Sequence, residues 1–262
     1  MHELRAMWSN TRMVVLCAIS GALYAAVLIP FKVIPLIPGV TELRPANAIP
    51  VVCSFLFGPA AAWGSAIGNL IGDFFGGFGP GDISGFAANL AYGFIPYKVW
   101  EVIGRGQSPV GRSPLIIAKF VFTCFLASAL CGVIVGWWIN LLLLGPPFWV
   151  LANAIVFNNM LAAMVLAPFI LAAVYPRVQK GHLTYQDLMP EIERPPSPLR
   201  FAGLGLLIVG TVGAWVAGNL LTTGYWTPEF LPANLAAPPY DKSIGIIVTP
   251  LIVIAIIGLV LL

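Results

Sequence analysis

Arg44, Asn47, Asn69, Asp73, Asp82 and Asn89 punctuate a stretch, residues 44–98, whose other positions are mostly apolar or small. Polar groups in such surroundings are costly unless they face a cavity or one another. Their spacing sorts them into sets. Asn69 and Asp73 stand four apart and share a helix face, Asp82, Phe86 and Asn89 share another, and Asn153 with Phe157 repeats the pattern. Amides donate and accept hydrogen bonds, carboxylates accept them, and arginine adds a fork of donors. Set in an apolar wall beside aromatic rings, such groups suit recognition of a small ring-containing molecule. Each also has a plainer use: Asp82 as a helix cap, Asn69 as a bond to a neighbouring helix, Arg44 as the ion-pair partner of Glu42 or Asp73.

Catalytic chemistry has no comparable support. His2 and His182 stand alone in polar segments, and neither an HExxH pair nor a GxxxxGK[ST] loop is present. Cys17, Cys53, Cys124 and Cys131 fall inside apolar runs without CxxC spacing and read as small buried hydrophobes. The expectation is a chain that is not an enzyme and uses no metal or cofactor.

The elements that must position these groups follow from composition. The chain has 262 residues, 59% of them hydrophobic and 9% charged, with a mean hydropathy of +0.93. A soluble domain carries about 25% charged residues, so this surface belongs in lipid. Continuous apolar runs, rather than alternating ones, indicate helices, each needing about 20 residues to cross. The expected fold class is an all-α integral membrane protein.

Spans are expected at residues 13–30, 60–75, 83–103, 115–144, 148–175, 201–221 and 243–262, with a short apolar segment at 47–57. That segment reaches only about 16 Å as a helix. Pro45, Gly58-Pro59, the GGFGPG loop at 76–81 and Gly145-Pro146-Pro147 separate the segments, and Pro176 is expected to end the sixth. Asp82 directly follows the glycine-rich loop and gives an N-cap signal. Residues 177–200 are hydrophilic and proline-rich and read as a linker outside the membrane. The division expected is 1–180 as a six-segment substrate-binding domain, 181–200 as linker and 201–262 as two further membrane helices.

Basic residues orient the chain. With the N-terminus inside, the cytoplasmic face collects Arg5, Arg12, Arg105, Arg112, Arg177, Lys180, Arg194 and Arg200, and the outside keeps Lys32, Arg44 and Lys242. Both termini are then cytoplasmic, provided that the short segment crosses. The polar groups of the first six segments converge on one external mouth. A net charge of +3 gives no reason to expect a nucleic-acid partner.

The order of motifs resembles the S components, the substrate-capture subunits of energy-coupling factor transporters. The first helix carries Ala18-x-x-x-Ala22, continued at Ala26. Arg44-Pro45-Ala46 opens the short second helix. Phe57-Gly58-Pro59 leads into a helix with Gly64, Gly68 and Gly72 that ends at Asp73, and a fourth helix runs through Gly85 to Gly93. The likeness covers residues 13–180 and is nearest to queuosine-precursor and vitamin-type members. It implies a six-helix bundle in the cell membrane of a prokaryote. That bundle would bind a vitamin-like molecule at its outer face and deliver it through a transmembrane T subunit driven by two cytoplasmic ATPases. By position, Ala18, Ala22 and Ala26 would dock the T subunit. Glu42 to Asn47 would form a gate, and Asp73, Asp82, Asn89, Asn140 and Asn153 would be ligand candidates beside Arg44, Asn69 and Phe86. The two C-terminal helices depart from the six-helix pattern, and keep open a structural subunit of a larger membrane complex that reuses the fold.

Overall fold

The computed structural model describes residues 2–32, 34–37, 41–142, 145–191, 197–229 and 243–262. Arg194, Lys242 and the linker prolines at 195 and 196, which entered the topology and linker readings, lie outside the described residues. The described residues are mostly helical: α1 (His2–Ala6), α2 (Thr11–Phe31), α3 (Ala48–Phe57), α4 (Pro59–Phe74), α5 (Gly81–Ile103), α6 (Pro114–Leu141), α7 (Phe148–Val165), α8 (Ala167–Lys180), α9 (Tyr185–Leu188), α10 (Ser197–Thr222) and α11 (Ser243–Leu261). Between α2 and α3 lies one short antiparallel pair, β1 (Pro35–Ile37) and β2 (Thr41–Glu42), with Pro35 opposite Glu42. Among the described residues, five helices, α2, α6, α7, α10 and α11, are long and apolar enough to cross a membrane.

α2, α4, α5, α6 and α7 pack in sequence around α3, which touches α2, α4, α5, α7 and α8. That central place explains why α3 is apolar on all sides and buried along nearly its whole length. α2 and α4 meet through glycine. A methyl group on Gly68 would come within 2.6 Å of the Gly21 carbonyl oxygen, and one on Gly64 within 2.6 Å of the Ser20 Cβ. Glycine at these positions lets the two backbones approach where lipid supplies no hydrophobic drive. The opposite face of α2, with Ala18, Ala22 and Ala26, is exposed.

The two ends of the bundle are built differently. At one, α1 and the 3-10 turn after it tuck beneath the bundle, with Leu4 and Met7 buried and the Leu4 carbonyl accepting from the Trp63 indole at 2.9 Å. α9 packs beside them, and its Tyr185 ring fills the space beside Gly58, whose φ of +50° suits glycine at this turn. The N-terminal residues 2–9 are therefore an ordered part of this end. The other end carries the β1–β2 pair and a cavity described below.

Several boundaries differ from those read in the sequence. α10 begins at Ser197, inside the stretch read as linker, because Pro198 falls in its first turn, where no N–H is lost. The sixth segment is two helices. It breaks at Leu166, just before Pro168, and then runs through Pro176 to Lys180 instead of ending there. Asp82 is not the N-cap of α5. The helix opens at Gly81, and Asp82 reaches back from its first turn to accept the Gly79 N–H at 2.6 Å.

α10 and α11 lie against each other and against α6, with α10 also touching α7. Methyl groups on Gly210 or Gly258 would collide with the facing backbone, so the pair is as closely packed as α2 and α4. Polar side chains fasten it to the bundle: the Trp215 indole donates to Asn153 Oδ1 at 2.8 Å, Asn153 donates to Asn219, and the Trp137 indole donates to Thr249 at 2.9 Å.

Candidate substrate-binding site

A cavity of about 250 Å3 lies among α2, α4, α5, α6, α7 and the segment that leads into α3. Arg44, Asn47, Asn69, Asp73, Asp82 and Asn89 all stand on its wall. Each arrives by a different route. Pro45 starts a 3-10 turn that places Arg44 before it and the buried Asn47 at its end. Asn69 and Asp73 occupy the last two turns of α4, on the face turned inward by the Gly64–Gly72 contact with α2. On α5 the inward positions are Asp82, Gly85 and Asn89. They fall at i, i+3 and i+7 on one face.

Hydrogen bonds hold most of these groups. Asn69 Nδ2 donates to Asp73 Oδ2 at 2.6 Å, while Asp73 Oδ1 pairs with Lys32 Nζ at 3.1 Å. Arg44 pairs with Glu42 at 3.1 Å. The Tyr24 hydroxyl lies 2.8 Å from Asn47 Oδ1 and 3.1 Å from Asn89 Oδ1, and with one hydrogen it serves one of them at a time. Asn158 grips the backbone of the neighbouring segment at two points, accepting from the Arg44 N–H at 3.1 Å and donating to the Glu42 carbonyl at 2.7 Å. Asn159 accepts from Asn47.

Two residues of the wall each hold a buried polar atom with no partner among the described residues, Arg44 Nε and Asn69 Oδ1. The assignment at Asn69 follows from chemistry. Its neighbour Asp73 is held as a carboxylate acceptor by Lys32, so the amide must turn its N–H toward Asp73 and leave its oxygen over. Leaving such an atom unpaired costs about 1–3 kcal/mol. Two residues of the cavity wall thus carry one donor and one acceptor left over by their neighbours.

The remaining nominated residues stand elsewhere. Glu42 sits behind Arg44 as its ion-pair partner. Phe86, one position past Gly85, turns toward α4 and packs against Trp63 at 6.3 Å. Asn140 is buried and accepts from the Phe148 N–H at 3.1 Å, capping the start of α7. Asn153 bonds α10, as described above. Sequence reasoning did not nominate Tyr24, Cys131, Val135, Ile139, Leu151, Ile155, Asn158 or Asn159, which complete the wall. The amides at 158 and 159 stand mid-span, where an amide in lipid calls for a partner on a neighbouring segment. They do bond neighbouring segments, and they line the cavity as well.

The model of one protein family, the QueT transporter family, matches residues 14–176, more than half of the chain. The chain belongs to that family. QueT proteins are S components of energy-coupling factor transporters, so the resemblance drawn from the alanine, RPA and FGP motifs has its counterpart in a match over nearly the same residues. No curated protein and no solved structure matches the chain. The QueT match ends at residue 176, before α9, α10 and α11.

Proposed function

We propose that this QueT-family chain captures a compact, nitrogen-rich ring compound of the queuosine-precursor or vitamin class in the 250 Å3 cavity, and hands it to a T subunit with its two ATPases. The observation that carries this reading is that two residues of one cavity wall hold buried atoms unpartnered among the described residues, Arg44 Nε and Asn69 Oδ1. A planar heterocycle with both ring acceptors and N–H donors can satisfy both at once. The volume lies just below the roughly 300 Å3 at which drug-sized pockets begin, which favours a ligand of one or two fused rings. Tyr24, Val135, Ile139 and Ile155 give the wall apolar surface for the ring face.

Charge supports the orientation. Arg5, Arg12, Arg105, Arg112, Lys119, Arg177, Lys180 and Arg200 belong to the end opposite the cavity or its loops, and Lys32 and Arg44 to the cavity end. The positive-inside rule then puts α1, α9 and the N-terminus in the cytoplasm of a prokaryotic cell and opens the cavity outward. The exposed Ala18, Ala22 and Ala26 face on α2 is the surface offered to the T subunit. Residues 1–180 form the capture domain, and α10 and α11 brace it from the α6–α7 side.

The test is to purify the protein from membranes and identify any retained small molecule by mass spectrometry, then titrate a queuosine precursor by calorimetry. A retained or titrated heterocycle whose binding falls in Arg44→Ala supports the reading. Purification with a stable partner complex that lacks ATPases, and no small-molecule binding, overturns it.

A further inference from the structure

A second hollow, of about 430 Å3, lies far from the ligand cavity, between the start of α6, the loop before it and α8. It forms at the Leu166 break, with Met164 on one side of the break and Pro168 on the other, both in its wall. Ile117, Phe120 and Phe169 line it with apolar surface; Ile117 is 52% exposed and Phe169 75%. Among the described residues, Arg112 is the only charged one on the wall. The same part of the chain holds Arg105, Lys119, Arg177 and Lys180, and among the described residues none of these five cations has a carboxylate within 4.0 Å. Lys119 instead donates to Gln107 within the loop.

An open apolar hollow on a membrane helix bundle is filled by hydrocarbon. What distinguishes this one is a single cation at its rim with no carboxylate within 4.0 Å among the described residues. We propose that the groove holds one anionic glycerophospholipid, an acyl chain lying along Ile117, Phe120 and Phe169 and the phosphate at Arg112. The charge at the rim selects the headgroup, because basic residues near an interface draw anionic lipid. A protein helix would have to cover these cations with acids of its own, whereas an anionic headgroup brings the missing charge with it.

The experiment is native mass spectrometry of the full chain in detergent, titrated with dioleoylphosphatidylglycerol or dioleoylphosphatidylcholine. One tightly retained phosphatidylglycerol is expected, preferred over phosphatidylcholine by about five-fold, as one basic contact would give. Arg112→Ala, a substitution on an exposed loop, removes the preference. Ala172→Trp, which fills the groove, removes the retained lipid of either kind, and Arg12→Ala leaves both unchanged. The proposal is overturned if wild type shows no preference, or if Arg112→Ala keeps it. It is equally overturned if Ala172→Trp keeps its lipid but loses a co-purifying protein, which would make the occupant a subunit. None of these readouts involves the ligand cavity, so they stand apart from the capture reading.

Discussion

The two ends of this bundle both bury charged and polar side chains, yet they leave them in opposite conditions. At the α1–α9 end, Glu3 and Lys98 meet at 2.8 Å with side chains 6% and 5% exposed, and the Tyr97 hydroxyl lies 3.4 Å from the same carboxylate. Both oxygens of Glu101 are engaged, one by the Tyr185 hydroxyl at 2.8 Å and one by Arg200 at 3.1 Å. The space left among these groups is about 10 Å3, no more than one water would need. At the other end Lys32 pairs with Asp73 and Arg44 with Glu42, but 250 Å3 remains open, and two residues of its wall hold buried atoms with no partner among the described residues. Burial of a polar group therefore says little about function in this fold. What separates a brace from a binding site is the room beside the unpaired groups: Arg200 Nε also has no partner among the described residues, but about 10 Å3 is left around Glu101, against 250 Å3 beside Arg44 and Asn69.

The brace is where substitution should cost most stability. Lys98→Met strands the Glu3 carboxylate in a buried place, and breaking a buried pair in this way costs about 3–5 kcal/mol. The thermal midpoint in detergent should fall sharply, while ligand affinity of the folded fraction stays the same; Glu3→Gln added to Lys98→Met should recover part of the loss. If the double variant unfolds as early as the single, the pair is not the brace. Acid gives a second view of the same contact. Burial alone would raise the Glu3 carboxyl, but the Lys98 charge and hydrogen bond outweigh it and hold the group at about 2, against an ordinary 4.5. A group depressed in the folded state contributes stability above pH 4.5, and that contribution drains away as pH falls toward 2. Wild type should lose up to roughly 3 kcal/mol over this window, and its advantage over Glu3→Gln should shrink as pH drops. A gap that stays constant from pH 6 to pH 3 removes the ion pair from the account.

That contrast explains which parts of the molecule were legible in the sequence. Composition and uninterrupted apolar runs lead directly to a helical membrane protein, because nothing else covers such a surface. The glycines of α4 and the FGP turn point to the α2–α4 contact for a local reason: only glycine fits there. Arg44, Asn47, Asn69, Asp73, Asp82 and Asn89 could be picked out because a polar group in an apolar run is conspicuous wherever it ends up. Their rotation about the helix axis could not be read as finely. Phe86 lies one position, about 100°, beyond Gly85 and so turns to Trp63. Asn140 and Asn153 are as conspicuous as Asn69, but their partners, the Phe148 N–H and the α10 side chains, come from packing that no local pattern encodes. Tyr24 was hidden for the opposite reason, since an aromatic residue in a membrane helix needs no special explanation. α1 escaped notice because a five-residue helix has too few turns to show a period.

At the cavity end the comparison predicts losses of affinity with little loss of stability. Arg44→Ala removes the unpartnered Nε and the cation. A hydrogen bond from a charged donor contributes about 1.5–3 kcal/mol, so the Kd for the heterocycle, measured by calorimetry, should rise about 10- to 100-fold. The thermal midpoint without ligand should move far less than in Lys98→Met. Arg44→Lys should recover only a fraction of the affinity, because an ammonium on a flexible stem does not put a donor where Nε stands. Full recovery by lysine would mean that charge alone is read at this position.

Asn69 gives the smallest and most discriminating effect. Its Oδ1 is a neutral acceptor, and losing one such bond is worth about 0.5–1.5 kcal/mol, or roughly two- to ten-fold in Kd. Asn69→Ala also removes the N–H donated to Asp73, so a weaker ligand could reflect a displaced Asp73 rather than a lost acceptor. Asn69→Asp separates the two. It keeps an acceptor oxygen but sets a second carboxylate 2.6 Å from Asp73, where the amide N–H now lies, and like charges that close cannot both stay ionised without cost. If the ligand reads Oδ1 itself, aspartate should bind better than alanine at a pH low enough to protonate one of the two carboxyls, and worse above it. If Asp73 is what matters, alanine and aspartate should both be impaired at every pH. Ser65→Ala supplies the baseline. That residue is buried one turn earlier on α4 and bonds only its own helix, at the Ala61 carbonyl, so its loss should leave the Kd where it was. An equal change at Ser65 and Asn69 would mean that α4 responds to packing along its whole length, and the unpaired oxygen at 69 would then carry no information about a ligand.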